Sequence, residues 1–172
     1  TSVIIPIMSE RMYDPSLPIP VEIATALPTS AQALATALTG FAFKSLIVRW
    51  GNRQSFRFGI LLHVVGLTLC GLSGSLITFT LAMFVVGVGM GVNAICLNTY
   101  VSAYEGNEQV RGFALITTGT FAGTNCGIII GTMLAEEFNY AILFFLSALL
   151  AAVLLVVVSV IYRKDLRLGE DA

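Results

Sequence analysis

The sequence predicts an all-α integral membrane protein, a polytopic helical bundle. From Phe58 to Ile161 the chain is almost continuously apolar, and only short polar segments interrupt it. Hydrophobic residues make up 56% of the 172 positions and charged residues only 11%, and the mean hydropathy is +0.89. Apolar stretches of about 18 or more residues are typical of helices that cross a membrane. The lipid bilayer is therefore the first partner that the sequence predicts.

The polar breaks divide one transmembrane domain, residues 1–172, into a partial span and five complete ones. Residues 1–9 are apolar and are interpreted as the end of a helix whose beginning is missing. Three prolines at positions 15, 18 and 20 follow, and they predict a loop because proline cannot continue a helix. The complete spans are predicted at residues 21–47, 58–72, 77–104, 112–135 and 140–162, with a charged tail at 163–172. A polar loop is expected from Glu105 to Arg111.

The positive charge predicts how these spans are oriented. If the spans alternate in direction, every Lys and Arg of the chain except Arg11 lies on one side of the membrane. Loops rich in Lys and Arg face the cytoplasm in most membrane proteins. The basic loops and the C-terminal tail are therefore expected in the cytoplasm.

Several function classes lack support in this pattern. There is no basic patch of the kind that nucleic-acid binding needs, and nothing indicates an enzyme. Cys70, Cys96 and Cys126 all fall within predicted spans without a CxxC or Cys/His cluster, so neither a metal site nor a cofactor is expected. His63, the only histidine, suits either proton relay or packing. Packing is favoured because no Asp or Glu lies at the centre of a span.

Polar residues within two of the spans are candidates for functional contacts. In residues 21–47 polar residues recur on one helical face and form a stripe. Such a polar stripe should face other helices or a watery cavity. Threonine hydroxyls can bond back to their own helix, whereas the amide of Gln32 needs further partners, so Gln32 is a candidate cavity residue. Asn93 and Asn98 suit either hydrogen bonds between helices or ligand contacts. The stripe consists of Thr25, Thr29, Gln32, Thr36 and Thr39.

Glycines at regular spacing predict close helix packing. Gly119, Gly123, Gly127 and Gly131 recur at every fourth position, a pattern that lets two helix backbones approach closely in lipid; we call them the glycine ladder. Asn125 lies on the face opposite the ladder, with Thr118 and Thr132. The GxGxG pattern of Gly87, Gly89 and Gly91 lies inside an apolar span, which favours packing over a nucleotide-binding loop.

The turn after residue 47 carries a family resemblance. The segment resembles the GxLxDRxGRR-like turn that joins the second and third helices of each six-helix half in the major facilitator superfamily of secondary transporters. Leu46, Arg49, Gly51 and Arg53 fit that pattern, whereas Lys44, Val48 and Asn52 depart from it. The spans that contain Gly87–Gly91 and the glycine ladder resemble the fourth and fifth helices of such a half, although Ile128 occupies the usual proline site.

The resemblance implies one six-helix half with an incomplete first helix, the C-terminal half being favoured, in a bacterial inner membrane. It implies alternating-access transport of a small solute together with a second six-helix half. Gln32, Asn93, Asn98 and Asn125 would be substrate contacts, and Arg49, Gly51 and Arg53 would belong to a gating turn. Two alternatives stay open: a transporter-like sensory domain of a bacterial signalling protein, and a membrane subunit whose role is assembly.

Overall fold

Six helices make up the part of the chain that the structure describes. This structure is a computed structural model, and it describes residues 4–13, 20–43, 49–137 and 140–169. The helices are α1 (Ile4–Arg11), α2 (Val21–Ala42), α3 (Asn52–Leu72), α4 (Leu76–Ser102), α5 (Gly106–Glu137) and α6 (Tyr140–Gly169). The predicted all-α fold is confirmed.

Four of these helices are long and apolar enough to cross a membrane. They are α3, α4, the Gly106–Leu134 part of α5 and the Tyr140–Val160 part of α6. The 22-residue helix α2 is not among them, because it carries the polar stripe. α1 is only 8 residues long.

Local backbone chemistry sets the helix boundaries. Gly51 has φ 79° and Gly106 has φ 61°, a left-handed conformation that glycine adopts without a steric penalty, and each directly precedes or begins a helix. Ser75 caps α4 by accepting a hydrogen bond from the backbone N–H of Thr78. Glu108 lies in the first turn of α5, where the helix dipole favours an acidic side chain. The loop predicted from Glu105 to Arg111 is therefore helical from Gly106 onwards.

α4 lies at the centre of the bundle, between α2 and α3. Its glycines make the close approaches: Gly87 and Gly91 lie against α2, and Gly89 lies against α3. A Cβ atom on Gly89 would be 2.8 Å from both the carbonyl oxygen of Gly59 and the backbone nitrogen of His63. Real Cβ contacts are longer, so a larger residue at position 89 would force α3 and α4 apart.

The main hydrophobic core joins α1, α3, α4 and α6. Phe79 of α4 packs edge-to-face on Phe144 of α6, with 5.7 Å between the ring centroids. Ile5 and Met8 of α1 are buried in the same core. The first turns of α4 and the last turns of α3 are thereby fixed against α6.

At the opposite end of the bundle, hydrogen bonds connect the start of α3 to its neighbours. We call this end, where Arg49, Arg53 and Arg57 lie, the basic end. Asn52 donates through Nδ2 to the carbonyl oxygen of Cys96 at 3.1 Å. Arg57 donates through Nη2 to the carbonyl oxygen of Ser159 at 3.4 Å. These bonds connect α3 with α4 and α6, so the polar turn before α3 is anchored to the bundle.

Candidate functional site

Two adjoining cavities occupy the interior between α5 and the other helices. The first has a volume of about 570 Å³ and is walled by residues of all six helices. The second has a volume of about 460 Å³ and is walled by α3, α4, α5 and α6. Both are lined by His63, Met90 and Thr120, so the two cavities meet at these side chains.

Gln32 lies on the wall of the first cavity. Its Nε2 donates a hydrogen bond to Sδ of Met90 at 3.0 Å, a contact between α2 and α4. The hydroxyl of Thr36 lies within hydrogen-bond distance of the carbonyl oxygens of Gln32, at 2.9 Å, and Gly87, at 3.0 Å. Thr25 and Thr39 bond back to carbonyls of α2 itself, as their residue type allows. In the polar stripe, Gln32 and Thr36 thus both contact α4, and Gln32 and Thr29 line the first cavity.

Asn93 and Asn98 line the second cavity. Asn98 is exposed. The Oδ1 atom of Asn93 lies against Gly59 of α3, and no hydrogen-bond partner for this buried atom exists among the described residues. Gln32, Asn93 and Asn98 are therefore brought to adjoining cavities, on either side of His63 and Met90.

Asn125 is placed apart from these three amides. It is exposed, and its Nδ2 donates to the carbonyl oxygen of Phe121 in its own helix at 2.8 Å. It lines neither of the two cavities. Its role as a substrate contact stays a prediction.

The glycine ladder faces open space rather than a neighbouring helix. In the part of the chain that the structure describes, a Cβ atom on Gly119, Gly123 or Gly127 would have no heavy atom of another element within 4 Å, and all three glycines line the first cavity. Gly131 lines a groove of about 210 Å³ between α5 and α6. Within the most apolar stretch of α5 no residue is buried. The close packing expected of the ladder therefore has no partner among the described residues, and it stays a prediction.

The predicted gating turn lies at the basic end. Arg49 and Arg53 are exposed, and Gly51 supplies the left-handed residue that precedes α3. Ser55 donates through its hydroxyl to the carbonyl oxygen of Gly51 at 2.9 Å, which stabilises this helix start. Leu46 and Val48 lie outside the described residues.

Sequence reasoning did not identify three residues that line both cavities. His63 was expected to pack, yet it is only half-buried and its Nδ1 has no hydrogen-bond partner among the described residues. Thr120 follows directly after a ladder glycine and Met90 lies between Gly89 and Gly91, so both lie beside residues that the pattern did single out. A single threonine or methionine is not polar enough for the sequence alone to identify it as a cavity residue.

Comparison with known proteins assigns the chain to a family. The sequence model of the Major Facilitator Superfamily matches residues 1–170. The sialic acid transporter NanX of Escherichia coli is 26% identical over 117 residues, which are 67% of this chain and 29% of that protein. The multidrug resistance protein Stp of Mycobacterium tuberculosis is 26% identical over 108 residues, 62% of this chain and 20% of that protein.

The chain thus spans less than a third of the length of these relatives. No solved structure matches it. The family match covers nearly every residue, and it agrees with the membrane-spanning helices and with the glycine-based contacts of α4. The chain therefore belongs to the major facilitator superfamily.

Proposed function

We propose that this chain forms one wall of the solute cavity in a secondary active transporter that works by alternating access. The observation that carries the proposal is the placement of three amides, from Gln32, Asn93 and Asn98, on two cavities that meet at His63 and Met90. Amides inside a membrane protein that line a cavity are typical of solute contacts. The assembled transporter comprises this chain and a second six-helix half, from the same polypeptide or a partner subunit.

The chemistry of the walls limits what this half contacts. The lining side chains supply amides, hydroxyls, a thioether and an imidazole, and among the described lining residues there is no Asp, Glu, Lys or Arg. Such a surface suits hydroxyl, amide and apolar groups of a solute. The two relatives are named for sialic acid and for multidrug resistance. A small polyhydroxylated or amphipathic solute is consistent with both names and with these walls.

The open face of α5 supports the need for a second half. Gly119, Gly123 and Gly127 present backbone at a spacing that accepts another helix, and no described residue covers them. A further transmembrane helix of the assembled transporter packed along this face would close the first cavity from one side. Asn125, on another face of α5, would then be available to a solute or to the second half.

The proposal includes a cytoplasmic position for the gating turn. Arg49, Gly51 and Arg53 would face the cytoplasm of a bacterium, because loops rich in basic residues stay on that side of the inner membrane. Asn52 and Arg57 fix the start of α3 to α4 and α6. Rocking of the whole bundle would therefore move this turn as one body with the cavity wall.

Transport by the assembled transporter in proteoliposomes tests this function. Radiolabelled sialic acid and ethidium serve as probes, and Gln32→Ala and Asn98→Ala are compared with Asn107→Ala, which removes an exposed amide of α5 outside both cavities. We expect about tenfold lower flux for the first two variants, near the effect of losing one or two hydrogen bonds, and wild-type flux for the third. Equal flux in all three variants would contradict the assignment of Gln32 and Asn98 to the cavity walls. Specific binding of a probe without any flux would favour a sensory domain.

A further inference from the structure

Arg57 lies where the outer, apolar surfaces of α3 and α6 meet at the basic end. Its Nη2 donates to the carbonyl oxygen of Ser159, so the guanidinium lies at the contact between these two helices. We propose that Arg57 binds the phosphate headgroup of an anionic phospholipid whose acyl chains lie along α3 and α6. This inference rests on the proposed function in one respect, because that function assigns the cavity side of both helices to the second half and leaves their other side to lipid.

The exposed residues of α3 lie on the side opposite the cavities. Leu61 and Val65 are each two positions from His63, which lines both cavities. Two positions along an α-helix differ in direction by about 200°. Leu61 and Val65 therefore point away from the cavities, and they are 48% and 43% exposed. Leu69 and Leu72 are exposed as well, further along the same helix. α3 thus presents a continuous apolar surface on its outer side.

α6 carries a similar outer surface. Val153 and Val156 are exposed, and each is two positions from a residue that lines the second cavity, Ala151 and Leu154 respectively. Val160 is also exposed, and it directly follows the residue whose carbonyl accepts the hydrogen bond from α3. The apolar surfaces of both helices therefore extend from the contact between the arginine and that carbonyl towards the middle of the membrane. Acyl chains fit such surfaces.

Aromatic side chains mark the headgroup level at the basic end. Trp50 packs edge-to-face on Phe58, with 5.7 Å between the ring centroids, and Phe58 directly follows Arg57. Tyr100 and Tyr104 form a second edge-to-face pair at the end of α4, with 5.5 Å between their centroids. Trp and Tyr are enriched where the membrane meets water. The guanidinium of Arg57 therefore lies at the depth of the lipid phosphates.

The guanidinium of Arg57 has the geometry and the charge that a phosphate group needs. It carries five N–H donors in a planar fork, and the carbonyl oxygen of Ser159 accepts from one of its nitrogens. Arg binds phosphate oxygens in pairs through charge-assisted hydrogen bonds, which are stronger than neutral ones. Arg53 lies one turn earlier in α3, on the same side of the helix, and adds a second positive charge. Anionic lipids should therefore be preferred over zwitterionic lipids, whose ammonium group these charges repel.

Quenching of Trp50 fluorescence by brominated lipids tests the site, because this ring packs on the residue next to Arg57. The assembled transporter would be reconstituted with brominated phosphatidylglycerol or brominated phosphatidylcholine, and the fluorescence that Trp50→Phe removes is assigned to Trp50. We expect wild type to prefer phosphatidylglycerol about fivefold, the usual effect of one basic residue at a membrane surface. Arg57→Gln, which keeps a donor for the Ser159 carbonyl but no charge, should abolish this preference.

Two further variants serve as references. Arg57→Lys keeps the charge but loses the planar fork, so it should bind phosphatidylglycerol about twofold less strongly than wild type does. Arg111→Gln removes one positive charge at the same end of the bundle, at the start of α5, and should keep the preference of wild type.

Four results would overturn the inference. Equal quenching by the two lipids in wild type would show that no anionic lipid is selected beside Trp50. A preference in Arg57→Gln or Arg57→Lys equal to that of wild type would remove the role of the guanidinium. Equal losses in Arg57→Gln and Arg111→Gln would assign the preference to general surface charge. Displacement of brominated phosphatidylglycerol by soluble glycerol phosphate would assign the site to a free phosphate compound.

The lipid preference is measured without a transported solute. Absence of flux together with an intact preference for phosphatidylglycerol would therefore contradict the proposed transport function and leave the lipid site standing. Normal flux without that preference would contradict the lipid site alone.

Discussion

Gln32 of α2 donates a hydrogen bond to the thioether of Met90 of α4, with 3.0 Å between Nε2 and Sδ. A thioether sulfur is a weak acceptor, so this bond is easily replaced by one to a carbonyl or hydroxyl oxygen. Both side chains line the first cavity, and Met90 also lines the second. The amide is therefore held in place by a contact that a solute could displace at little cost.

The close approach of α3 to α4 at Gly89 predicts a loss of stability on substitution. A Cβ at this position would lie 2.8 Å from backbone atoms of Gly59 and His63, and backbone cannot move aside as a flexible side chain can. We expect Gly89→Ala to destabilise the bundle by about 1–3 kcal/mol, the usual cost of overpacking. The midpoint of thermal unfolding in detergent measures this. Gly40→Ala is the matched control, since no atom of the described residues lies within 4 Å of a Cβ there; an equal fall in both variants would argue against the described packing.

The glycine ladder predicts a different outcome. Gly123 has open space where its Cβ would be, and it lines the first cavity. If another transmembrane helix packs along the ladder in the assembled transporter, Gly123→Leu would prevent its approach and should lower flux at least tenfold. Gly40→Leu should have little effect, because its position in α2 is exposed. Wild-type flux for Gly123→Leu would show that no helix approaches the ladder.

The one-sided positive charge predicts the orientation. Gly74 lies in the turn between α3 and α4, and Asn107 lies at the start of α5, at the other end of α4. Single cysteines at these positions, in a variant without Cys70, Cys96 and Cys126, should react with a membrane-impermeant maleimide from opposite sides. We expect labelling of position 74 in intact cells and of position 107 only after permeabilisation. Reaction of both positions in intact cells would refute the predicted topology.

The sequence predicted the fold more completely than it predicted the site. The length of the apolar segments and the one-sided positive charge reflect the lipid bilayer, and the glycine spacing reflects the geometry of the helix backbone. These properties can be recognised in a sequence without knowing which side chains contact each other. They were enough to predict an all-α bundle and a family resemblance, and both are confirmed. The boundary at Gly106 was missed, because Glu108 and Arg111 are polar enough to suggest a loop, although an acidic residue such as Glu108 is favourable in the first turn of a helix.

The candidate site depends on contacts between helices that are distant in sequence. Gln32 and Met90 are 58 positions apart, and nothing local to either residue indicates that they meet. The lone histidine illustrates the same difficulty. Without an acidic neighbour in the sequence, packing was the more economical interpretation, whereas the structure puts His63 between two cavities.

The central claim, that α5 and the amide-bearing helices enclose a solute cavity, is tested most directly by access to Thr120. This residue lines both cavities, whereas its neighbour Phe121 lines neither and is 67% exposed on another face of α5. Thr120→Cys and Phe121→Cys would be made in the assembled transporter without native cysteines, and their reaction rates with a water-soluble methanethiosulfonate reagent measured with and without a transported probe. We predict that position 120 reacts from water and that the probe slows its reaction at least fivefold, with no protection at position 121. An unreactive cysteine at position 120, or one that the probe does not protect, would contradict the account.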